Sequence, residues 1–333
     1  MPIGGLLSFA LGAAISLTTS WVVVSRLERV GERLGLTEGL LGLLAALAAD
    51  LPEITSAITA LAHHQQAVGA GVVIGSNVFN LAALLGLSAV VAGRIRLQSR
   101  AITLDGVVAL GVAGLAVVVV TGVAAPAAGL AVALGILVPY GVLLWAGPAR
   151  VRRARSGVPP RLAAWAASAV AEEELELKDA VRPARGTAAD VAVGLCSLAV
   201  VVAASAAMER GATSVAGHFA IADIVVGAVM LAVVTSLPNA VAAVYLARRG
   251  RGAAVLSTAL NSNNLNTVVG LLLPAAVLGS VSSSGRGSWV VAWYLGMTVL
   301  ALVLASAERG LHRLPALLII AAYLGFVGWL VTG

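Results

Sequence analysis

Long apolar runs, separated by short polar stretches, follow one another along almost the whole 333-residue chain. Each run contains about the 20 residues that an α-helix needs to cross a bilayer. This pattern predicts an all-α polytopic membrane protein with ten transmembrane helices. The predicted spans cover residues 3–25, 39–62, 67–92, 101–121, 127–146, 188–207, 221–247, 252–280, 288–307 and 314–331.

One long polar stretch interrupts this pattern midway and contains a Pro-Pro pair and charge clusters of both signs. It predicts three parts: a first five-helix repeat at 1–146, a cytoplasmic linker at 147–187 and a second five-helix repeat at 188–333. Because five is an odd number, the second repeat enters the membrane in the opposite orientation, so the two repeats are inverted. Within the linker, residues 161–180 predict either an amphipathic helix on the inner membrane surface or a solvated tether.

Composition excludes an ordinary soluble domain. Apolar residues make up 60% of the chain and charged residues 11%, whereas soluble domains contain about a quarter charged residues. The mean hydropathy of +1.01 agrees with a chain that lies mostly within a membrane.

The basic residues predict the orientation of the chain. Of the 21 Lys and Arg residues, 19 lie in loops on one side of the predicted bilayer, and only Arg210 and Arg286 lie on the other. The positive-inside rule therefore places both termini outside and the linker in the cytoplasm, in a membrane of the bacterial plasma membrane type. Since these residues are scattered over five loops, the net charge of +6 gives no support for nucleic-acid binding.

A short polar pattern occurs twice inside the apolar runs. Leu-Pro-Glu at 51–53 is followed by Gly-Ser-Asn-Val-Phe-Asn at 75–80, and the second copy, 186 positions later, begins with Leu-Pro-Asn at 237–239. A proline inside a helix removes one hydrogen bond and clashes with the carbonyl four residues earlier, so the helices are predicted to be discontinuous here. Freed carbonyls, those of Ala48 and Val234, are good ligands for hard cations.

Two carboxylates lie in the first copy. Asp50 and Glu53 are three residues apart and therefore face one side of a helix, where they can address a single site. They are the only carboxylates that the predicted spans place well inside the membrane, and an unpaired acid there indicates function. The other candidates are predicted at span ends: Glu38, Asp105, Asp190 and Asp223.

Neutral oxygen ligands surround these acids in the pattern. The candidates are Ser76, Asn77, Asn80, Ser236, Asn239, Ser262, Asn263 and Asn266. A set made only of oxygen favours hard cations such as Ca²⁺ or Na⁺ over zinc or copper, which prefer His or Cys. The alternative for the Ser and Asn residues is a packing role, in which they hydrogen-bond between helices.

The proximity of Asp50 and Glu53 also predicts that the site binds a proton. Two carboxylates in a poorly hydrated site repel one another when both are ionised, so the empty site is expected to hold a proton. Cation entry would then displace that proton, which couples cation movement to H⁺ without a separate proton path.

The repeated pattern resembles the α-repeats of the sodium/calcium exchanger family within the Ca²⁺/cation antiporter superfamily. The resemblance covers residues 38–92 and 221–280, and the ten-span layout agrees along the whole chain. It implies that one acid from each repeat binds the ion centrally, helped by hydroxyls and amides, while outward and inward openings alternate. The chain differs from the family pattern because Asp50 replaces a hydroxyl residue, Asn239 replaces the second acid and Asn266 stands where some relatives carry Asp.

We therefore expect a secondary active antiporter that exchanges Ca²⁺ or Na⁺ for Na⁺ or H⁺ by alternating access. Two alternatives stay open: a monovalent cation/H⁺ exchanger without Ca²⁺ activity, and a transport-inactive relative that acts as a membrane scaffold. The sequence contains no ATPase motif and no recognisable catalytic motif, so neither a pump nor an enzyme is expected. The expected partners are inorganic cations and the bilayer, with no cofactor beyond the transported cations. A metal site at His63 and His64 is set aside because the sequence offers no third ligand nearby.

Overall fold

The computed structural model describes residues 3–34, 46–153, 159–177, 186–278, 285–307 and 309–332. The helices are α1 (Ile3–Arg33), α2 (Leu51–Ala62), α3 (Gln66–Ala92), α4 (Ser99–Val120), α5 (Pro126–Arg153), α6 (Pro160–Leu177), α7 (Ala188–Phe219), α8 (Asp223–Arg248), α9 (252–278), α10 (Gly285–Ala307) and α11 (Arg313–Thr332). Two short strands, β1 (Arg94–Arg96) and β2 (Gly310–His312), form an antiparallel pair.

The all-α membrane architecture predicted from the apolar runs is confirmed. Among the described residues, eight helices are long and apolar enough to cross a membrane: α1, α3, α4, α5, α7, α8, α10 and α11. The predicted span 39–62 is described only from residue 46, and the predicted span 252–280 corresponds to α9, which carries the asparagines of the second motif. The exact number of ten crossings stays a prediction.

The first helices of the two halves, α1 and α7, pack along each other. The hydroxyls of Ser16 and Ser205 are 2.7 Å apart in this contact, and the Ser8 hydroxyl donates to the carbonyl of Ala207 at 2.8 Å. Helix α7 continues to Phe219, whereas the sequence analysis ended this span at residue 207.

The motif helices of the two halves are joined by a reciprocal pair of hydrogen bonds. The amide of Asn77 on α3 donates to the Asn263 carbonyl at 3.2 Å, and the amide of Asn263 on α9 donates to the Asn77 carbonyl at 3.0 Å. These two residues are separated by 186 positions, the offset of the repeated pattern. The sequence repeat is therefore also a repeat in space, with its axis passing between α3 and α9.

A close approach between α3 and α8 explains one glycine of the first motif. A β-carbon on Gly75 would lie 2.4 Å from the backbone of Ala228, closer than real β-carbons come to other atoms. The helices can therefore cross at this distance only with glycine at that position. This crossing places the polar residues that follow Gly75 against the second half.

Three helices contain wide π-helical segments near the motifs. Leu81–Leu87 follows the first motif in α3, and Asn266–Leu272 begins at the last residue of the second motif in α9. A third segment, Val226–Leu231, precedes Pro238 in α8. Such segments are rare in proteins and often occur at functional sites. The α-helix continues through Pro238 from Ala232 to Arg248, so the discontinuity predicted there is absent, and among the described residues only the first-half helix is interrupted at its motif.

The linker contains a packed helix rather than only a solvated tether. Helix α6 lies against α4 and α5, and its Ala163, Ala167 and Val170 side chains are buried. Val170 packs with Val108 and Tyr140 in a small apolar cluster. The acidic residues at the end of α6 lie among side chains outside the described set.

Candidate cation site

The two motif carboxylates lie where the helix of the second predicted span is interrupted. Residues 46–49 are helical, Asp50 forms a turn, and α2 begins at Leu51 with Pro52 in its first turn. Backbone hydrogen bonds still cross the turn, because the Asp50 amide donates to the Ala46 carbonyl at 3.0 Å. Both Asp50 and Glu53 are 0% exposed, so neither carboxyl contacts solvent in this conformation.

The carbonyl that Pro52 releases accepts a hydrogen bond from another helix. The Ala48 oxygen accepts a hydrogen bond of 3.1 Å from the Ser20 hydroxyl of α1. A carbonyl oxygen has two lone pairs, so this contact occupies one of them, and the role of Ala48 as a cation ligand stays a prediction.

Each carboxylate accepts two hydrogen bonds from the second half of the chain. Asp50 Oδ1 accepts from the Asn239 amide at 2.7 Å and from the Ser262 hydroxyl at 2.8 Å. The Glu53 carboxylate accepts from the Ser236 hydroxyl and, at 3.1 Å, from the Asn266 amide. Helices α8 and α9 thus supply only neutral donors, and the interrupted helix of the first half supplies both acids.

These contacts follow the internal symmetry at α2 and α8. At the offset of the repeat, Asp50 corresponds to Ser236, and Glu53 corresponds to Asn239. The bonds cross between these pairs, because Asn239 donates to Asp50 and Ser236 donates to Glu53. The proline-containing segments therefore face each other across the axis, with the charge on one side only.

Residues of both motifs contain buried oxygens that take part in no hydrogen bond with the described residues. The Asn80 amide donates to the Ser262 hydroxyl and to Asn263 Oδ1, each at 3.1 Å. Among the described residues, several buried oxygens have no hydrogen-bond partner: Asp50 Oδ2, Ser76 Oγ, Asn77 Oδ1, Asn80 Oδ1 and Asn266 Oδ1. Such oxygens are suited to a hard cation, which takes about 6–8 of them in the case of Ca²⁺.

All ten residues predicted for the site are buried, with at most 5% of any of them exposed. Nine of them are joined by the hydrogen bonds above, and the hydroxyl of the tenth, Ser76, has no partner in the described part of the chain. Asn77 and Asn263 hold α3 and α9 together, which is the packing role considered for them. Asn77 also donates to Thr267 Oγ1 at 2.9 Å, a contact that the motif comparison did not include.

The buried carboxyl groups are more numerous than predicted. Asp105 lies in the second turn of α4, near the predicted span end, but it is 1% exposed and accepts a hydrogen bond of 3.0 Å from Tyr140 rather than being accommodated by headgroup water alone. Glu209 is 0% exposed within α7 and was missed because the apolar run ends before it. The helix nevertheless continues through Met208 and Glu209 to Phe219, beyond the end of the apolar run that marks the span in the sequence.

The other carboxyl groups at span ends agree with the sequence analysis where they are described. Asp190 caps α7 together with Thr187 and forms an ion pair of 2.7 Å with Arg26. Asp223 is the first residue of α8, and Glu38 lies outside the described residues.

The adjacent histidines lie at the turn between α2 and α3. His63 ends α2, and His64 lines a surface cavity with Gln65 and Asp223. Within the described ranges, no group of three or more His, Cys, Asp or Glu side chains converges as a metal site.

Comparison with known proteins finds a family model and a curated antiporter that are similar to this chain. A family model described as "Sodium/calcium exchanger protein" matches residues 4–146 and 190–332. The "Putative antiporter CaxA" of Alkalimonas amylolytica is 28% identical over 134 residues, which are 39% of this chain and 41% of that protein. The chain therefore matches about two fifths of the length of this relative.

Two solved exchanger structures share the fold. The sodium-calcium exchanger NCX_Mj, soaked with Na⁺ and Sr²⁺, superposes with a TM-score of 0.62 at 21% identity, covering 98% of this chain and 99% of that chain. The H⁺/Ca²⁺ exchanger CAX superposes with a TM-score of 0.72 at 15% identity, covering 99% of this chain and 82% of that one. Both similarities extend over nearly the whole chain, so the two halves and their arrangement are shared.

Proposed function

Because the chain belongs to the sodium/calcium exchanger family, a family of membrane transporters, we propose that it exchanges Ca²⁺ for Na⁺ or H⁺ at the Asp50 and Glu53 site. The structures it resembles are of a sodium-calcium exchanger and of an H⁺/Ca²⁺ exchanger. Membrane cation antiport is common to both, and the identity of the ions moved by this chain is the part we propose.

One observation carries the proposal. Two completely buried carboxyl groups lie on one interrupted helix, and four neutral donors of the second half bind them. Two buried charges without a basic partner are unfavourable unless a cation or protons neutralise them. A single Ca²⁺ ion matches both charges, and two monovalent ions or protons match them equally well.

The amide groups of the site allow exchange without a large rearrangement. An asparagine side chain has a donor at one end of its amide and an acceptor at the other. In the present conformation Asn239 and Asn266 donate to the carboxylates, and rotation of these amides would direct their oxygens toward an entering cation. Protons and the cation then compete for the same carboxylates, which is the basis of antiport at one site.

The arrangement of the helices supports alternating access. The site residues are almost completely buried, so this conformation is closed toward both sides of the membrane. Inverted repeats that meet at an interrupted helix are typical of transporters in which one bundle moves against another, and here the interruption lies at Asp50 in the first half.

A monovalent cation/H⁺ exchanger is the second candidate function. It is favoured by Asn239, which puts a neutral amide at the second-half position corresponding to Glu53 and leaves all the charge on one side. In this case Na⁺ would replace one proton, and the site would not retain Ca²⁺.

Ion flux into proteoliposomes that contain the purified protein tests both candidates. We expect uptake of radiolabelled Ca²⁺ under an imposed Na⁺ or H⁺ gradient, and loss of this uptake in Glu53→Gln, which keeps the shape of the side chain but removes its charge. Sodium uptake without Ca²⁺ uptake would favour the monovalent exchanger. If no cation moves in the native protein, the chain is a transport-inactive relative and the proposal is wrong.

A further inference from the structure

Glu209 is a buried carboxyl that the cation site does not use. It lies on α7 in the half of the membrane that the charge distribution predicts to be outer, and it is 0% exposed. In the described part of the chain, neither of its carboxylate oxygens has a hydrogen-bond partner. A buried acid of this kind is energetically unfavourable and, in membrane proteins, usually marks an ion or proton pathway.

Glu209 is buried, but residues that interact with it are exposed at the protein surface. The side chains that interact electrostatically with it are His63, at the end of α2, and Arg210, the next residue of α7. Both of these side chains are exposed, whereas Glu209 is enclosed. Helix α1 also packs along α7, but it has no titratable side chain between Ile3 and Ser25.

Helix α2 connects this region to the cation site. Glu53, Ser56 and His63 recur at intervals of three and seven residues, so they share one face of the helix. Ser56 is 0% exposed, and within the described ranges its hydroxyl has no hydrogen-bond partner. A rise of about 1.5 Å per residue places Ser56 about 4.5 Å from Glu53 along the axis and His63 about 10 Å further.

The ligand that fits this group is a proton rather than a metal ion. A hard cation such as Ca²⁺ takes about 6–8 oxygens, and no cluster of three or more acidic, His or Cys groups surrounds Glu209 among the described residues. A single carboxyl near a histidine is instead suited to proton transfer, because an imidazole nitrogen can donate or accept a proton.

We propose that Glu209 relays, between outer water and the Asp50 and Glu53 carboxyl groups, the proton that is exchanged for the cation, with His63 as its contact with outer water and Ser56 as the hydroxyl toward the cation site. In the inward direction a proton leaves a ring nitrogen of His63 and forms an O–H bond on Glu209, and the reverse step breaks that bond. The proposal rests on the proposed antiport function and identifies H⁺ as the counter-ion.

The test compares two transport modes in the same proteoliposomes. The first is Ca²⁺ uptake driven by an H⁺ gradient, and the second is exchange of Ca²⁺ for Ca²⁺ with no gradient. In Glu209→Gln we expect the ratio of the first rate to the second to fall by at least about tenfold, since the proton-transfer group is lost. Glu209→Asp keeps a protonatable group and should recover the ratio, and His218→Gln on the same helix serves as the matched control.

Infrared spectroscopy provides a readout that does not require transport. A carbonyl band of a protonated carboxylic acid should grow on acidification of the native protein and should be diminished in Glu209→Gln. An unchanged flux ratio, or an unchanged infrared band, in Glu209→Gln overturns the proposal. Absence of Ca²⁺ flux in the native protein in both modes would instead refute the proposed function, while the infrared result would still decide whether Glu209 binds a proton.

Discussion

At the scale of single residues, the unequal distribution of charge is the main property of the site. Asp50 and Glu53 hold both formal charges, while Ser236, Asn239 and the second motif supply neutral donors. The two acids therefore share one environment, and ionisation of one makes ionisation of the other less favourable. This coupling predicts that a cation and protons bind the site in competition.

The competition predicts proton release when the cation binds. Addition of Ca²⁺ or Na⁺ to the purified native protein in weak buffer should acidify the solution, and apparent cation affinity should rise with pH because fewer protons then compete. Asp50→Asn should remove most of the release, since it leaves a single carboxyl in the site. A pH-sensitive dye measures this effect, with Asp223→Asn at the start of α8 as control, and a release that is unchanged in Asp50→Asn would rule out the coupling.

At the scale of helices, close packing positions the polar groups. Helix α3 crosses α8 at backbone contact, with Gly75 of α3 against Ala228. On α8, Gly227 is equally close to α3, because an added β-carbon there would lie 2.2 Å from the Val68 carbonyl oxygen. The π-helical segments follow the motifs in both α3 and α9. These features hold the two motifs against each other at the centre of the molecule.

The crossing of α3 and α8 predicts the effect of Gly75→Ala. Its β-carbon would lie 2.4 Å from the Ala228 backbone, so the helices must separate and the site must widen. We expect a loss of about 1–3 kcal/mol in stability, typical of overpacking, together with reduced transport. Thermal unfolding in detergent measures the first effect. Gly217→Ala on α7, where an added β-carbon meets no atom within 4 Å, is the control, and an equally small effect of both substitutions would contradict this account.

The sequence predicts these elements well where local chemistry decides the structure. Pro52 and the three-residue spacing of Asp50 and Glu53 are enough to locate the carboxylates on one interrupted helix. Glu209 was missed because the end of α7 depends on packing against α1. In this contact the helices are so close that a β-carbon added at Gly211 would lie 2.4 Å from the Phe9 amide nitrogen. The π-helical segments and the Ser20 contact of the Ala48 carbonyl also depend on neighbouring helices, which a single sequence does not contain.

At the scale of the whole molecule, two inverted halves meet at the proposed cation site. The reciprocal bonds of Asn77 and Asn263 show that the repeat is structural as well as sequential. The predicted inversion directs corresponding helices of the halves toward opposite sides of the membrane, and the proposed alternating access would follow from movement of one set relative to the other. The strand pair formed by β1 and β2 links two loops on the side predicted to be cytoplasmic.

The orientation predicted by the positive-inside rule, with both termini outside, can be tested by cysteine labelling. Cys196 is the single cysteine, so Cys196→Ser provides a cysteine-free background. With Thr332→Cys in this background, a membrane-impermeant thiol reagent should label intact cells, whereas Ser156→Cys in the linker should react only after permeabilisation. The reverse pattern would show that the positive-inside assignment is wrong.

The location of the bound cation tests the central claim most directly. Crystals soaked with Sr²⁺, a divalent ion whose anomalous scattering identifies it, should show a peak between the carboxylates of Asp50 and Glu53, within reach of the oxygens of Ser76 and Asn80. The peak should disappear in crystals of Glu53→Gln. A Sr²⁺ peak elsewhere in the membrane region, or an unchanged peak in Glu53→Gln, would contradict the assignment of this site.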